Sequence, residues 1–298
     1  MSAAFQPSYA DQVRAHCADL LSRLEPLAAM PSPQSLKDFR AALDYLSNVA
    51  PEAAGAESIE CLLSAVHYFY LSNAAQDGLQ AASVALSHAR RFDDRNLLRR
   101  ALSNAGVMLN ETGNVPGATE CLSEAISVAQ SIANVDAESA AWNNLGLVLM
   151  GSAQYASAVE CFKRAEGLAR AGEGRAQSLA NLALCAVYAR DLKTGIRAAR
   201  EAIEILDRPQ GGNAAFVRVV AETAYARLLL EIGETVHARE HCEVARKLAA
   251  EFPTARAEYA STITSGLIEI HGGHADIGMT RLKSALEHAR RSIRSEVR

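Results

Sequence analysis

The chain has 298 residues, of which 49% are hydrophobic and only 5% aromatic, with 30 Lys and Arg set against 34 Asp and Glu for a formal net charge of −4. An acidic balance argues against a nucleic-acid binder, whose footprint is a basic face. A core so rich in small and aliphatic residues suits helices packed closely along a line rather than around one globular centre.

The first 30 residues lack the basic start and apolar centre of a signal peptide, because Asp11, Arg14, His16, Asp19 and Arg23 interrupt them. No apolar run anywhere is long enough for a membrane span, so a cytoplasmic protein is expected. Residues 9–29 (Val13, Leu20, Leu24, Leu27) and 34–49 (Leu36, Phe39, Leu43, Leu46) carry apolar residues at helical spacing, separated by Pro31-Ser32-Pro33. Proline ends one helix and permits the next. Residues 1–55 therefore read as a degenerate helical hairpin that caps the open face of the region beginning at residue 56.

From residue 56 the chain repeats itself. Gly78, Ala118, Ala158, Gly195, Ala238 and Gly278 recur at steps of 40, 40, 37, 43 and 40 residues, and seven positions after each stands an alanine: Ala85, Ala125, Ala165, Ala202, Ala245 and Ala285. Short turns precede this column at Gly113-Asn114, Ala153-Gln154, Arg190-Asp191, Gly233-Glu234 and Gly273-His274. The spacing predicts repeats near 59–98, 99–138, 139–175, 176–218, 219–258 and 259–298, with a surface loop at Asp207–Asn213 between the fourth and fifth.

The fullest copy runs Trp142, Leu145, Gly146, Leu149, Tyr155, Ala158, Phe162, Ala165. Large and small residues alternate here at the spacing two antiparallel helices need to interlock, with Gly146 and Ala158 as the sites of close approach. Trp142 and Phe162 are expected to pack together. The pattern resembles the tetratricopeptide repeat, in a long form similar to kinesin light chains, spindle-orientation adaptors and bacterial signalling proteins. That resemblance implies an all-α, right-handed superhelical solenoid of antiparallel helix hairpins, about six repeats plus the N-terminal hairpin. Steps near 40 exceed the family's usual length of about 34. The excess is expected in the helices, since 127–139 contains neither Gly nor Pro.

No nucleophile elbow, phosphate loop, dinucleotide fingerprint or zinc-hydrolase motif is present, so no enzyme activity, cofactor or metal is expected. His237 and His241 share a helix face with Cys242 adjacent, but without an evident acidic ligand they read as solvated histidines, as do His271 and His274. The six cysteines show no paired spacing and read as reduced core fillers. Arg90, Arg91, Arg95, Arg99 and Arg100 are interrupted by Asp93 and Asp94 without interleaved aromatics, which points to a solvated edge rather than a nucleic-acid site. At the far end Leu282, Ala285, Leu286, Ala289, Ile293 and Val297 keep one face apolar while Arg290, Arg291, Arg294 and Arg298 make the other basic. A solenoid usually ends in a polar cap, so either a longer polypeptide continues beyond Arg298 or the last helix pairs with a second copy as a homodimer.

The remaining candidate is the groove that first helices would line. Asn104, Asn144 and Asn181 occupy one position in consecutive repeats, replaced by Ser64, Ala224 and Thr264 elsewhere. An amide both donates and accepts, so such a ladder can pair with the backbone of an extended peptide. In the long-repeat families that this chain resembles, groove asparagines hold peptide ligands. The competing reading has the same amides bonding repeat to repeat. Arg100, Glu111, Asn143, Leu147, Leu184, Tyr188 and Arg227 are expected on the same surface, together with Glu60, His67, Val107 and Glu231. Lysine is missing from it, which argues against the terminal-carboxylate clamp of the family's chaperone-binding members. The sequence thus points to a non-enzymatic scaffold binding a protein or peptide segment, with a resemblance to regulatory modules of bacterial signalling proteins. The alternatives are a peptide or small-ligand sensor that closes on binding, and an assembly module dimerising through its C-terminal helix.

Overall fold

The computed structural model describes residues 9–22, 33–48, 55–72, 74–170, 172–207, 212–252 and 255–295, and among these it contains fourteen α-helices and no strand. They are α1 (Tyr9–Ser22), α2 (Pro33–Ser47), α3 (Ala56–Leu71), α4 (Ala75–Ala89), α5 (Arg95–Glu111), α6 (Val115–Ser131), α7 (Val135–Gly151), α8 (Tyr155–Leu168), α9 (Glu173–Ala189), α10 (Leu192–Ile205), α11 (Gly212–Glu231), α12 (Thr235–Glu251), α13 (Ala255–His271) and α14 (Ala275–Ser295). The chain divides into two compact units, Met1–Asn144 and Leu145–Arg298. Successive helices pack as hairpins: α3 with α4 and α5 with α6 in the first, α9 with α10, α11 with α12 and α13 with α14 in the second.

The extra length of the repeats lies in the helices, although 127–139, free of Gly and Pro, holds the turn between α6 and α7. Helices α5, α6, α7 and α9 each run 17 residues. The step of 37 reflects α8, which is only 14 residues long, and the step of 43 reflects α11, which reaches 20.

The recurrent turn has one geometry with a clear cause. Gly113, Ala153, Arg190, Gly233 and Gly273 all adopt positive φ, between 57° and 87°. The amide of the next residue then reaches five positions back, from Asn114 to the Leu109 carbonyl at 2.8 Å, Gln154 to Leu149 at 2.8 Å, Asp191 to Ala186 at 3.0 Å, Glu234 to Leu229 at 2.9 Å and His274 to Glu269 at 2.8 Å. This is a Schellman closure, which satisfies the carbonyls left over at the helix end. The same residue can then open the following helix. Asn114 accepts from the Gly117 amide and Asp191 from the Thr194 amide, both at 3.1 Å, as N-caps do.

Two of these positions are not glycine. At Ala153 (φ 59°) and Arg190 (φ 57°) the Cβ costs roughly 1–2 kcal/mol in the left-handed region, whereas glycine's extra unfolded-state entropy costs only about 0.5–1 kcal/mol. Ala153→Gly is expected to raise the stability of its hairpin by about 0.5–1 kcal/mol, read by urea denaturation. A loss of stability would contradict the assigned turn.

Packing follows the small residues. Ala85, Ala125, Ala165, Ala202 and Ala245 are fully buried and Ala285 is 4% exposed, so the alanine column is the line along which helices touch. Glycine notches serve the same end on the partner helix. A Cβ built at Gly146 would lie 2.6–2.9 Å from three Phe162 ring carbons, and one at Gly106 would lie 2.6 Å from Leu122 Cγ. At the α13/α14 crossing the backbones themselves meet, because a Cβ on Gly278 would sit 2.6 Å from the Gly266 carbonyl oxygen. Phe162 is fully buried. Trp142 is half-buried, and its indole N–H donates to Glu138 at 3.3 Å.

Helices α1 and α2 both pack on α3, and Val13, Cys17, Phe39, Leu43 and Leu46 join the core there. Leu24, Leu27 and residues 208–211 of the expected loop lie outside the described residues. At the other end α14 continues to Ser295; Leu286 is 48% exposed, and the side chains of Ala289, Ile293, Val297 and the four terminal arginines lie outside the described part.

Candidate functional site

First helices lie side by side within each unit: α3 against α5 in one, α9 against α11 and α11 against α13 in the other. Asn104 on α5, Asn144 on α7 and Asn181 on α9 are each half-buried, while Ala224 and Thr264 at the equivalent positions are buried.

Asn143 departs from the expectation. It is 5% exposed and does not belong to the outer face. One residue along a helix is a rotation of about 100°, enough to turn Asn143 inward, and its equivalents Ala180 and Thr223 are buried as well. An amide there is a core group satisfied within the protein.

The other expected residues sort by unit. In the first, Arg100 forms an ion pair with Glu60 on α3, one repeat away, and Glu111 is exposed at the end of α5. In the second, Leu147 on α7 is half-buried, and α9 presents Asn181, Leu184 and Tyr188 along one stripe at spacings of three and four. Tyr188 is 45% exposed yet held on two sides. Tyr155, the first residue of α8, stacks on it with ring centroids 5.5 Å apart and planes 13° from parallel. Arg227 of α11 lies 4.8 Å from the ring centroid and donates from Nη1 to the Tyr188 hydroxyl at 3.1 Å. A cation over an aromatic face at such an exposed site adds about 0.5–1 kcal/mol. The result is a fixed aromatic stack with a cation over the Tyr188 ring, and the half-buried Asn181 on the same helix stripe. Tyr155 was the member sequence reading missed as a functional residue; its position opening a second helix carries no signal that it turns towards α9.

Of the histidines His237, His241, His271 and His274, three bond to three different carboxylates. His237 Nδ1 bonds Glu234 at 3.1 Å, whereas His241 Nδ1 bonds Glu222 of α11 at 2.6 Å and packs on Tyr225 with centroids 4.6 Å apart. His241 is thus only partly exposed, and an acidic partner 19 residues away in sequence takes its nitrogen. Glu222 is 1% exposed and also accepts from Arg218 Nε at 2.8 Å. His271 is exposed and His274 bonds Glu269 at 3.2 Å. Among the described residues no group of three or more His, Cys, Asp or Glu could hold a metal ion, and no helix is long and apolar enough to cross a membrane. All six cysteines are free, five of them buried. The Arg90–Arg100 cluster disperses into local bonds, with Arg90 on Glu124 at 2.6 Å, Arg99 on Asn96 at 3.1 Å and Arg100 on Glu60.

No protein-family model matches the sequence, and no curated protein matches it. Among solved structures the chain is similar to the apo form of RapI, with a TM-score of 0.73 at 13% identity over 95% of this chain and 99% of that one. It is also similar to a Rap protein in complex with competence and sporulation factor (TM-score 0.62, 16% identity, 87% of this chain and 70% of that one). A tetratricopeptide repeat protein from Parabacteroides merdae gives a TM-score of 0.58 at 16% identity, over 94% of this chain and 93% of that one. At such identities the likeness is one of fold.

Proposed function

From a chain with the fold of tetratricopeptide-type repeat proteins, we propose that it works as a non-enzymatic cytoplasmic scaffold holding an extended peptide segment against its first-helix face. The observation that carries this reading is the platform on α9 and α11: Tyr188, exposed but fixed between Tyr155 and Arg227, beside Leu184 and the half-exposed Asn181. Rigid aromatic surface binds at low entropic cost because little freedom remains to be lost. Amides at fixed intervals match backbone N–H and C=O groups whatever the ligand's side chains are. Arg227 would favour an acidic or carbonyl-rich stretch next to an apolar residue packed against Leu184 and the exposed edge of the Tyr188 ring. The Rap protein bound to competence and sporulation factor shares the fold and supports a ligand of this general kind.

Replacing Asn104, Asn144 and Asn181 together with alanine tests the proposal. Each backbone hydrogen bond contributes about 0.5–1.5 kcal/mol, so the triple variant is expected to bind its partner roughly ten- to thousandfold more weakly while its melting temperature stays close to the parent's. Affinity and thermal unfolding are measured on the same samples. Unchanged affinity with a clearly lower melting temperature would assign the amides to repeat packing and reject the clamp.

A further inference from the structure

Away from the first-helix face, α12, α13 and α14 enclose a cleft of about 210 Å³ within the second unit. Three guanidinium groups line it: Arg239 and Arg246 from α12, and Arg281 from α14. Arg239 Nη1 donates to Glu269 Oε1 at 2.9 Å, and Arg281 Nη1 donates to the same oxygen at 3.2 Å and to Ser265 Oγ. Arg246 Nη1 donates to Glu243 at 2.9 Å. A guanidinium has five N–H donors in a planar fork. Each of these three spends only Nη1 on the protein, so among the described residues Nε and Nη2 of all three are left without an acceptor.

The charge count points the same way. Three guanidinium charges face two carboxylates, Glu269 and Glu243, which leaves the cleft one positive charge in excess. The second oxygen of Glu269 is already engaged with His274 Nδ1 at 3.2 Å. Arg239, hydrogen-bonded to it, holds the Glu269 carboxyl below the usual carboxylate range, so the pair stays ionised at neutral pH. Arg239, Arg246 and Arg281 are 51%, 53% and 37% exposed, which leaves the forks open to a solute.

We propose that this cleft is a phosphate-binding site, taking the phosphate group of a small molecule or the free anion between Arg239 and Arg246 on one side and Arg281 on the other. Forked donors arriving from two helices suit a tetrahedral oxyanion with acceptors on several faces better than a planar carboxylate, and the excess positive charge favours an anion. A phosphate there would tie α12 to α14 across α13, so binding stabilises this end of the chain.

The test is calorimetric titration of the full chain at constant ionic strength with inorganic phosphate, phenyl phosphate and acetate. Saturable one-to-one binding of phosphate or phenyl phosphate is expected, with a rise in melting temperature. Tighter phenyl phosphate assigns the site to a phosphomonoester, and equal or weaker binding to the free anion. Arg246→Gln removes the guanidinium that bonds only to an exposed glutamate, and should weaken binding at least about tenfold without lowering the ligand-free melting temperature. Arg239→Lys keeps the charge and loses the fork, and should weaken binding similarly. No saturation by roughly 10 mM phosphate, acetate binding as tightly, or unchanged affinity in Arg246→Gln would each overturn the assignment.

Discussion

Phe162→Ala should lower the stability of the second unit by about 3–5 kcal/mol, the cost expected for truncating a fully buried aromatic. Phe162 is fully buried, and its ring occupies a notch in α7 that exists because residue 146 is glycine. Phe162 belongs to a core cluster with Ala158, Leu179, Leu182 and Ala183, and truncating it adds a cavity penalty to the lost transfer energy to the extent that these neighbours do not collapse into the space. Solenoid stability sums over neighbouring repeats, so the loss is expected as an earlier, separate unfolding phase rather than a uniform shift. Chemical denaturation followed by helicity and by tyrosine fluorescence would show it. Phe162→Leu, which keeps most of the volume, should retain a large part of the stability. A Phe162→Ala protein that melts like the parent would mean the ring is not the wedge between α7 and α8.

Glu222→Ala should be comparably damaging, by about 3–5 kcal/mol, for an electrostatic reason. Glu222 is 1% exposed and holds two bases, Arg218 and His241; the Arg218 side chain is itself only 12% exposed. Removing the carboxylate strands a guanidinium in a region where its remaining partners are the carbonyls of Ile203 and Leu206 at the end of α10. Breaking one half of a buried pair costs far more than never having had it. The double variant Arg218→Met with Glu222→Leu should accordingly recover most of the loss, and Glu222→Gln, which still accepts hydrogen bonds, should fall between. Four-way comparison by urea denaturation gives the coupling energy directly. If Arg218→Met with Glu222→Leu is no more stable than Glu222→Ala, the stranded charge is not the cause.

The three asparagines and the arginine cleft share no residue, so their tests are independent. Loss of partner binding in the triple asparagine variant leaves the phosphate titration untouched, and the reverse holds for Arg246→Gln.

What the sequence determined by itself is the repeat and its phase. Helix contact demands a small residue wherever two axes approach, and that demand recurs at every hairpin, so the alanine column from Ala85 to Ala285 was written plainly and lies buried along its whole length. The turns were legible for a related reason: the closure at the ends of α5, α7, α9, α11 and α13 needs a residue at positive φ followed by the start of the next helix, and Gly113-Asn114 or Arg190-Asp191 fill both places. Both constraints are local, and local constraints leave a periodic trace.

The tertiary structure alone decided which polar residues act together. Asn143 and Asn144 are adjacent in sequence, yet a rotation of one residue buries the first and leaves the second half-exposed. Tyr188 meets Arg227 across 39 residues and Tyr155 across 33; Glu222 reaches His241 across 19, and Arg239 reaches Glu269 across 30. Each pairing depends on the angle at which one repeat lies on the next, and therefore on packing summed over several helices. Hydrophobic periodicity fixes which side of a helix faces inward. Partner choice along the rim is set by side-chain reach between neighbouring helices, which leaves no period in the sequence to read.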